Sequence, residues 1–116
     1  MQNLEQIRAA HALELAKNLD RSAVNKLPAM ILANGLLSAA AFCDAEGGGD
    51  NRKDMKAALN ATAVHLADRG LIATGKNTAK GIIEDLSGRD SQHLHRATSE
   101  ALAFIAYLKR FALKKD

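Results

Sequence analysis

The last 21 residues, Arg96 to Asp116, read RATSEALAFIAYLKRFALKKD and limit the fold more than any other stretch. Ala97, Ala101, Phe104, Ile105, Leu108 and Phe111 or Ala112 recur at spacings of three and four, so they share one side of a helix. An apolar stripe of that width has to be covered by other protein, which predicts a helix docked into a bundle. The same segment ends in cations. Lys109, Arg110, Lys114 and Lys115 crowd its last turns, where positive charge complements the carbonyl end of the helix dipole. Such an end serves as a solvated cap, or it holds a polyanion or an acidic partner.

The rest of the chain reads as four more helices. The first spans about Asn3 to Leu19, with Asn3 as N-cap and Leu4, Ile7, His11, Leu15 and Asn18 along one stripe. After the polar joint Asp20-Arg21-Ser22 comes an apolar helix to Cys43. Pro28 favours a helical first turn, so the regular part is expected to begin near Leu27, with 22–26 as a separate turn. Asn34-Gly35 lies inside it, and Gly in a helix interior costs about 0.8–1.0 kcal/mol relative to Ala. That cost points to close backbone approach, either inside the bundle or against a neighbouring subunit, or to a kink. Glu46-Gly47-Gly48-Gly49-Asp50 is the clearest break, expected as a flexible exposed loop. A third helix follows from about Asn51 to Arg69, closed by Gly70 and packed through Met55, Leu59, Thr62 and Leu66. A short fourth runs from about Lys76 to Leu86 despite Gly81. The last begins near Asp90 or Ser91 and continues to Lys114. No stretch alternates as a strand does. The reading is all-α, one compact bundle of about five helices over residues 1–116.

At 116 residues one domain is expected, able to bury roughly two-thirds of its unfolded surface without metal or disulfide. Aromatic residues make up 3%, too few for a platform that stacks single-stranded bases. Any nucleic-acid contact would therefore run through phosphates. A net charge of +3 permits polyanion binding without demanding it. The single cysteine, Cys43, sits in an apolar run and reads as a small buried residue of a reducing compartment. The N-terminus lacks a signal peptide's charged start, apolar block and cleavage site. The longest apolar run, Ala29 to Cys43, falls short of the ~20 residues of a membrane span. A cytoplasmic protein with no membrane contact is expected.

Chemistry-bearing patterns are thin. Gly70-Leu71-Ile72-Ala73-Thr74-Gly75-Lys76-Asn77 fits G-x-x-x-x-G-K. Asn77 stands where a phosphate-binding loop needs Ser or Thr, however, and a helical pattern precedes it instead of a strand. His93 and His95 diverge by about 200° on a helix, and His65 and Asp68 share a face without a third ligand, so no metal site is expected. His11 lies on an apolar stripe and reads as a hydrogen-bonded core histidine. Arg96 and Glu100 are four apart and read as an intrahelical pair. Glu84 and Asp85 point about 100° apart and read as surface charges. No serine or Cys43 has a base partner. A non-enzyme without cofactor is expected.

Two segments carry a family resemblance. Lys26-Leu27-Pro28-Ala29-Met30-Ile31-Leu32-Ala33-Asn34-Gly35-Leu36 and Glu100 to Ala112 (EALAFIAYLKRFA) occur in that order in this short chain. Together they resemble the small all-helical subunit of the type III-B CRISPR effector, the RNA-guided Cmr complex. The resemblance implies a non-catalytic structural subunit in antiviral defence. Its copies would stack head to tail as a filament along the guide RNA–target RNA duplex, beside other Cmr-type effector subunits. Charge grouping, not position-matched family residues, makes Lys17, Arg21, Lys26, Lys109, Arg110, Lys114 and Lys115 the candidate RNA-binding residues. Arg52, Lys53 and Lys56 form a further cationic group, set aside because Asp50 and Asp54 lie beside it. The alternative is a free-standing helical adaptor that self-associates or binds an acidic protein.

Overall fold

A computed structural model describes residues 1–45 and 47–114. Six helices make up the fold among them: α1 Leu4–Leu15, α2 Arg21–Asn34, α3 Leu36–Asp44, α4 Gly49–Asp68, α5 Ala79–Leu86 and α6 Ser91–Phe111. No strand is present among the described residues, which bears out the all-α class with one helix more than expected. Helix α6 packs on α1, α2 and α4, while α4 also covers α3 and α5. Their apolar stripes merge into one cluster that includes Leu27, Leu36, Met55, Leu59, Leu66, Ile82, Phe104, Ile105 and Leu108.

The extra helix comes from Gly35. Instead of staying helical, this residue adopts φ 93° and ψ 158° and divides the expected second helix into α2 and α3. No atom lies within 4 Å of where a Cβ would stand. Close packing within the bundle is therefore not the reason for glycine; the positive φ is. Upstream, α2 starts at Arg21 and runs through Pro28, not from Leu27 as the proline suggested. Pro28 has no N–H to donate to the carbonyl of Val24. Burial of Ala23, Val24, Leu27 and Ile31 on α2 carries the helix across that gap.

Other boundaries shift for local reasons. Asn3 and Gln6 form a reciprocal capping box on α1, which stops at Leu15 rather than Leu19. Helix α4 opens at Gly49, so two residues of the expected glycine loop are helical, and Glu46 lies outside the described residues. The G-x-x-x-x-G-K stretch joins two helices, as expected. Its middle is tied to α5 by the Ala73 N–H, which donates to Asp85 Oδ2 at 2.7 Å. Asp85 is thus more than a surface charge: burial raises its carboxyl, but hydrogen bonds from Arg89 and Ala73 outweigh that and hold it below the ordinary range. Helix α5 begins at Ala79, with Thr78 as its N-cap. Gly81 is required there, because a Cβ would collide with the backbone carbonyl of Lys76.

Helix α6 does not continue to Lys114 but ends at Phe111, and Ala112 is extended. Leu113 then pairs with the α1–α2 joint: its N–H donates to the Leu19 carbonyl, and its carbonyl accepts from the Arg21 N–H, both at 2.8 Å. This two-bond bridge pins the basic end of α6 beside the start of α2.

Candidate nucleic-acid interface

At that junction Arg21 reaches across to α6. Its Nε donates to the Ala112 carbonyl and its Nη2 to the Arg110 carbonyl, each at 3.2 Å. The carbonyls at a helix end have no intrahelical partner, so a guanidinium there both caps the helix and offsets its dipole. Arg21, Asn25, Lys109 and Arg110 line one shallow groove of about 450 Å³. Arg21 and Asn25 share a face of α2 because they are four residues apart. None of the three cations in the groove forms an ion pair among the described residues, and neither does the adjacent Asp20. Lys109 and Arg110 are exposed to solvent, whereas half-buried Arg21 holds its fork on the helix-end carbonyls.

The structure thus brings together three of the seven candidate residues. Lys26 is exposed on α2 but does not line the groove; five residues from Arg21, it projects about 140° around the helix. Lys17 turns back to Glu14 at 3.3 Å in an exposed pair. Lys114 is exposed on the tail beyond α6 rather than on the helix. Lys115 lies outside the described residues. Two of the three cations after the glycine loop are consumed locally, though by other partners than Asp50: Lys56 pairs with Asp44 at 3.1 Å, and the Arg52 guanidinium stacks 4.2 Å above the Phe42 ring. Between them Cys43 is buried, and that burial pushes its thiol up to about 11.

A second polar assembly runs from the bundle interior at His65 and Glu100 out to half-buried Arg8 and His11, and the spacing of the sequence did not reveal it. Glu100, expected to pair with Arg96, instead takes Arg8 from α1 through two bonds, Nε to Oε2 at 2.8 Å and Nη2 to Oε1 at 2.7 Å. It also meets His65 Nε2 at 2.8 Å. His65 is fully buried, stacked on Phe104 with ring centroids 4.2 Å apart, and its Nδ1 lies 2.8 Å from His11 Nδ1. At its outer edge His11 Nε2 lies 3.5 Å from Asp68 Oδ2, an ion pair only when both ring nitrogens carry protons.

Protons can be assigned along this array. Burial raises the Glu100 carboxyl, but hydrogen bonds from Arg8 and His65 outweigh it, so the group stays ionised and only accepts. His65 Nε2 must therefore carry its proton. Burial lowers the basicity of His65 against the pull of Glu100, which keeps the imidazole neutral and leaves Nδ1 as an acceptor. His11 Nδ1 must then donate to it. Two signals in the sequence marked these residues: His11 on the stripe of α1, and Glu100 three residues after core Ala97 and four before core Phe104. The partner of Glu100, 92 positions away, left no local trace. The other two histidines part as expected, with His93 Nε2 donating to the Leu71 carbonyl at 2.6 Å and His95 exposed.

Fold and surface together define a small all-α protein whose longest described helix ends in an unpaired cationic groove. The family model of CRISPR-associated protein (Cas_Cmr5) matches residues 4–114, nearly the whole chain, and the chain belongs to that family. It is a CRISPR-associated subunit of the Cmr type, in keeping with the resemblance carried by Lys26 to Leu36 and Glu100 to Ala112. No curated protein and no solved structure matches it significantly. No described helix is long and apolar enough to cross a membrane.

Proposed function

We propose that this protein is a non-catalytic structural subunit of a type III-B effector in the cytoplasm, stacked in copies along the guide–target RNA duplex and contacting phosphates with lysine and arginine. The observation that carries this reading is the convergence of Arg21, Lys109 and Arg110, drawn from opposite ends of the chain, in one groove without a paired carboxylate. Cations so placed neutralise phosphates and release counterions without reading sequence. Lys114, exposed on the tail beyond α6, is a further candidate outside the groove. Lys17 and Lys26 are weaker participants, the first paired with Glu14 and the second on another face of α2. Support for a non-catalytic role comes from the buried array, where Glu100, His65 and Arg8 are committed to one another.

The test is reconstitution of the effector with Lys109→Glu/Arg110→Glu. Target-RNA retention should fall, and the dependence of log affinity on log salt should flatten by roughly 0.7–0.9 for each phosphate no longer neutralised. Unchanged retention and slope at physiological salt would reduce the basic end to a helix cap. Co-purification of the unmodified subunit with an acidic protein, insensitive to RNA competitor, would favour the adaptor reading instead.

A further inference from the structure

A second cationic site lies away from that groove. Leu4 and Arg8 from the start of α1, Arg69 at the end of α4, Leu71 just beyond it, and His95, Arg96, Ser99 and Glu100 from α6 line one cleft of about 360 Å³. That volume lies at the small end of the ~300–1,000 Å³ typical of ligand sites. Three guanidiniums face one carboxylate, which leaves an excess of two positive charges. The carboxylate is already spoken for: Glu100 takes both forks of its bond with Arg8 and a third bond from His65. Arg69 and Arg96 make no ion pair among the described residues, and Asp68, next to Arg69, faces His11. Arg8 is held rigid, whereas the other two arginines keep their donors at the solvent side.

We propose that this cleft binds a phosphate group. Arginine forks suit the oxygens of phosphate and carboxylate alike, but the directions here discriminate. Donors arrive from α1, from the end of α4 and from α6, with the Ser99 hydroxyl and the His95 ring beside them. A tetrahedral group offers acceptors toward several walls at once, and a planar carboxylate does not. Leu4 and Leu71 supply an apolar wall for whatever carries the phosphate, a nucleotide or a nucleic-acid backbone. Arg96 and Arg110 are 14 residues apart on α6, about 21 Å along its axis, so this site and the C-terminal groove are separate.

Inorganic phosphate titrated into the full chain tests this without any RNA. Saturable NMR shifts are expected at the Arg69 and Arg96 Nε–H signals and at the Ser99 amide. Arg69→Ala/Arg96→Ala should bind phosphate at least about tenfold more weakly, since two charge-assisted donors are removed. Neither side chain holds a buried partner, so the variant should keep the native helical signal, and Arg69→Lys/Arg96→Lys should recover part of the affinity. Lys109→Ala/Arg110→Ala should leave the saturable shifts at Arg69, Arg96 and Ser99 in place, whatever it does to phosphate at the groove, which separates this site from the RNA reading of the groove. Competition names the source. Displacement at lower concentration by a short RNA than by a nucleoside monophosphate assigns a nucleic-acid backbone, and the reverse assigns a free nucleotide. The proposal is overturned by shifts that do not saturate, by undiminished binding in the alanine variant, or by an equal response to acetate at matched ionic strength.

Discussion

Glu100 and Arg110 lie ten residues apart on α6, and their surroundings use charge in opposite ways. The Glu100 carboxylate is fully engaged by its partners. The carboxylate sits under α1, bound twice by Arg8 and once by His65, and Phe104 seals the histidine from below. Around Arg110 the charges are left unpaired in a groove open to water. The contrast follows from solvation. A buried ion is tolerated only when paired and hydrogen-bonded, whereas an exposed cation costs little and stays available to a partner. The inner half of α6 thus fixes the bundle, and the outer end is free to be used.

Glu100→Ala should break the inner half most severely. It leaves Arg8 and His65 facing an empty partner position; breaking a fully buried pair costs about 3–5 kcal/mol, and the partly exposed Arg8 brings this loss below that range. The loss should appear as a lower urea midpoint with an unchanged slope. Because Arg8 and Glu100 act through one contact, Arg8→Ala added to it should cost far less than it does alone. Full additivity would show that the pair holds nothing together.

Acid should weaken the same half more gently. Burial, with help from the neighbouring His11 and Arg69, pushes His65 below its ordinary value of 6.5, against the pull of Glu100. The unfolded chain therefore binds this proton first as pH falls, so stability rises with pH through the window below about 6.5. Glu100 acts in the same direction further down. Its carboxyl is held below the ordinary 4.5, and its contribution, present above that value, is lost as pH falls through the lower folded one. Urea midpoints taken between about pH 7.5 and 5 should decline first through the histidine, and His65→Gln should flatten that upper part. A profile level down to pH 5 would contradict the neutral His65 on which the proton assignment rests.

Arg21 is the hinge between the two halves, because it caps α6 and also lines the groove. Arg21→Ala should cost about 1 kcal/mol through removal of the two bonds to carbonyls, and it should also weaken RNA retention. Arg21→Lys keeps the charge but cannot reach both carbonyls with one fork, so it should lose stability and spare much of the retention. Equal losses in both readouts for both variants would mean that capping and binding are not separable here.

How much of this contrast could be read from the chain depends on distance along it. Helix faces, the cap at Asn3, the start of the last helix near Asp90 or Ser91 and the cations Lys109 and Arg110 in its last turn follow from short-range patterns, and they match what is observed. Gly35 stands out in the sequence for its cost, but its positive φ is invisible to a reading that keeps the helix intact. Pro28 misled because burial on one face of α2 outweighed a local rule. The Arg8–Glu100 and Arg21–Ala112 contacts span most of the chain, and only the fold decides them. The candidate groove was legible as charge, and its grouping of Arg21 with Lys109 and Arg110 was not.

Lys109→Glu/Arg110→Glu should leave the fold largely intact and so sharpens the contrast furthest. Both side chains are exposed and neither makes an ion pair among the described residues, so no paired charge is stranded. Two carboxylates at the carbonyl end of α6 oppose its dipole, a penalty of about 0.3–1 kcal/mol each at low salt that screening reduces. Their nearness to Arg21 offsets part of it. The helical signal should therefore persist, and the urea midpoint should move far less than for Glu100→Ala. Added salt should shrink the remaining difference, since these charges face water, while the Glu100→Ala defect should barely respond. If the reversal unfolds the protein, or its cost ignores salt, the basic end belongs to the core after all and the division of α6 into a holding half and a usable half fails.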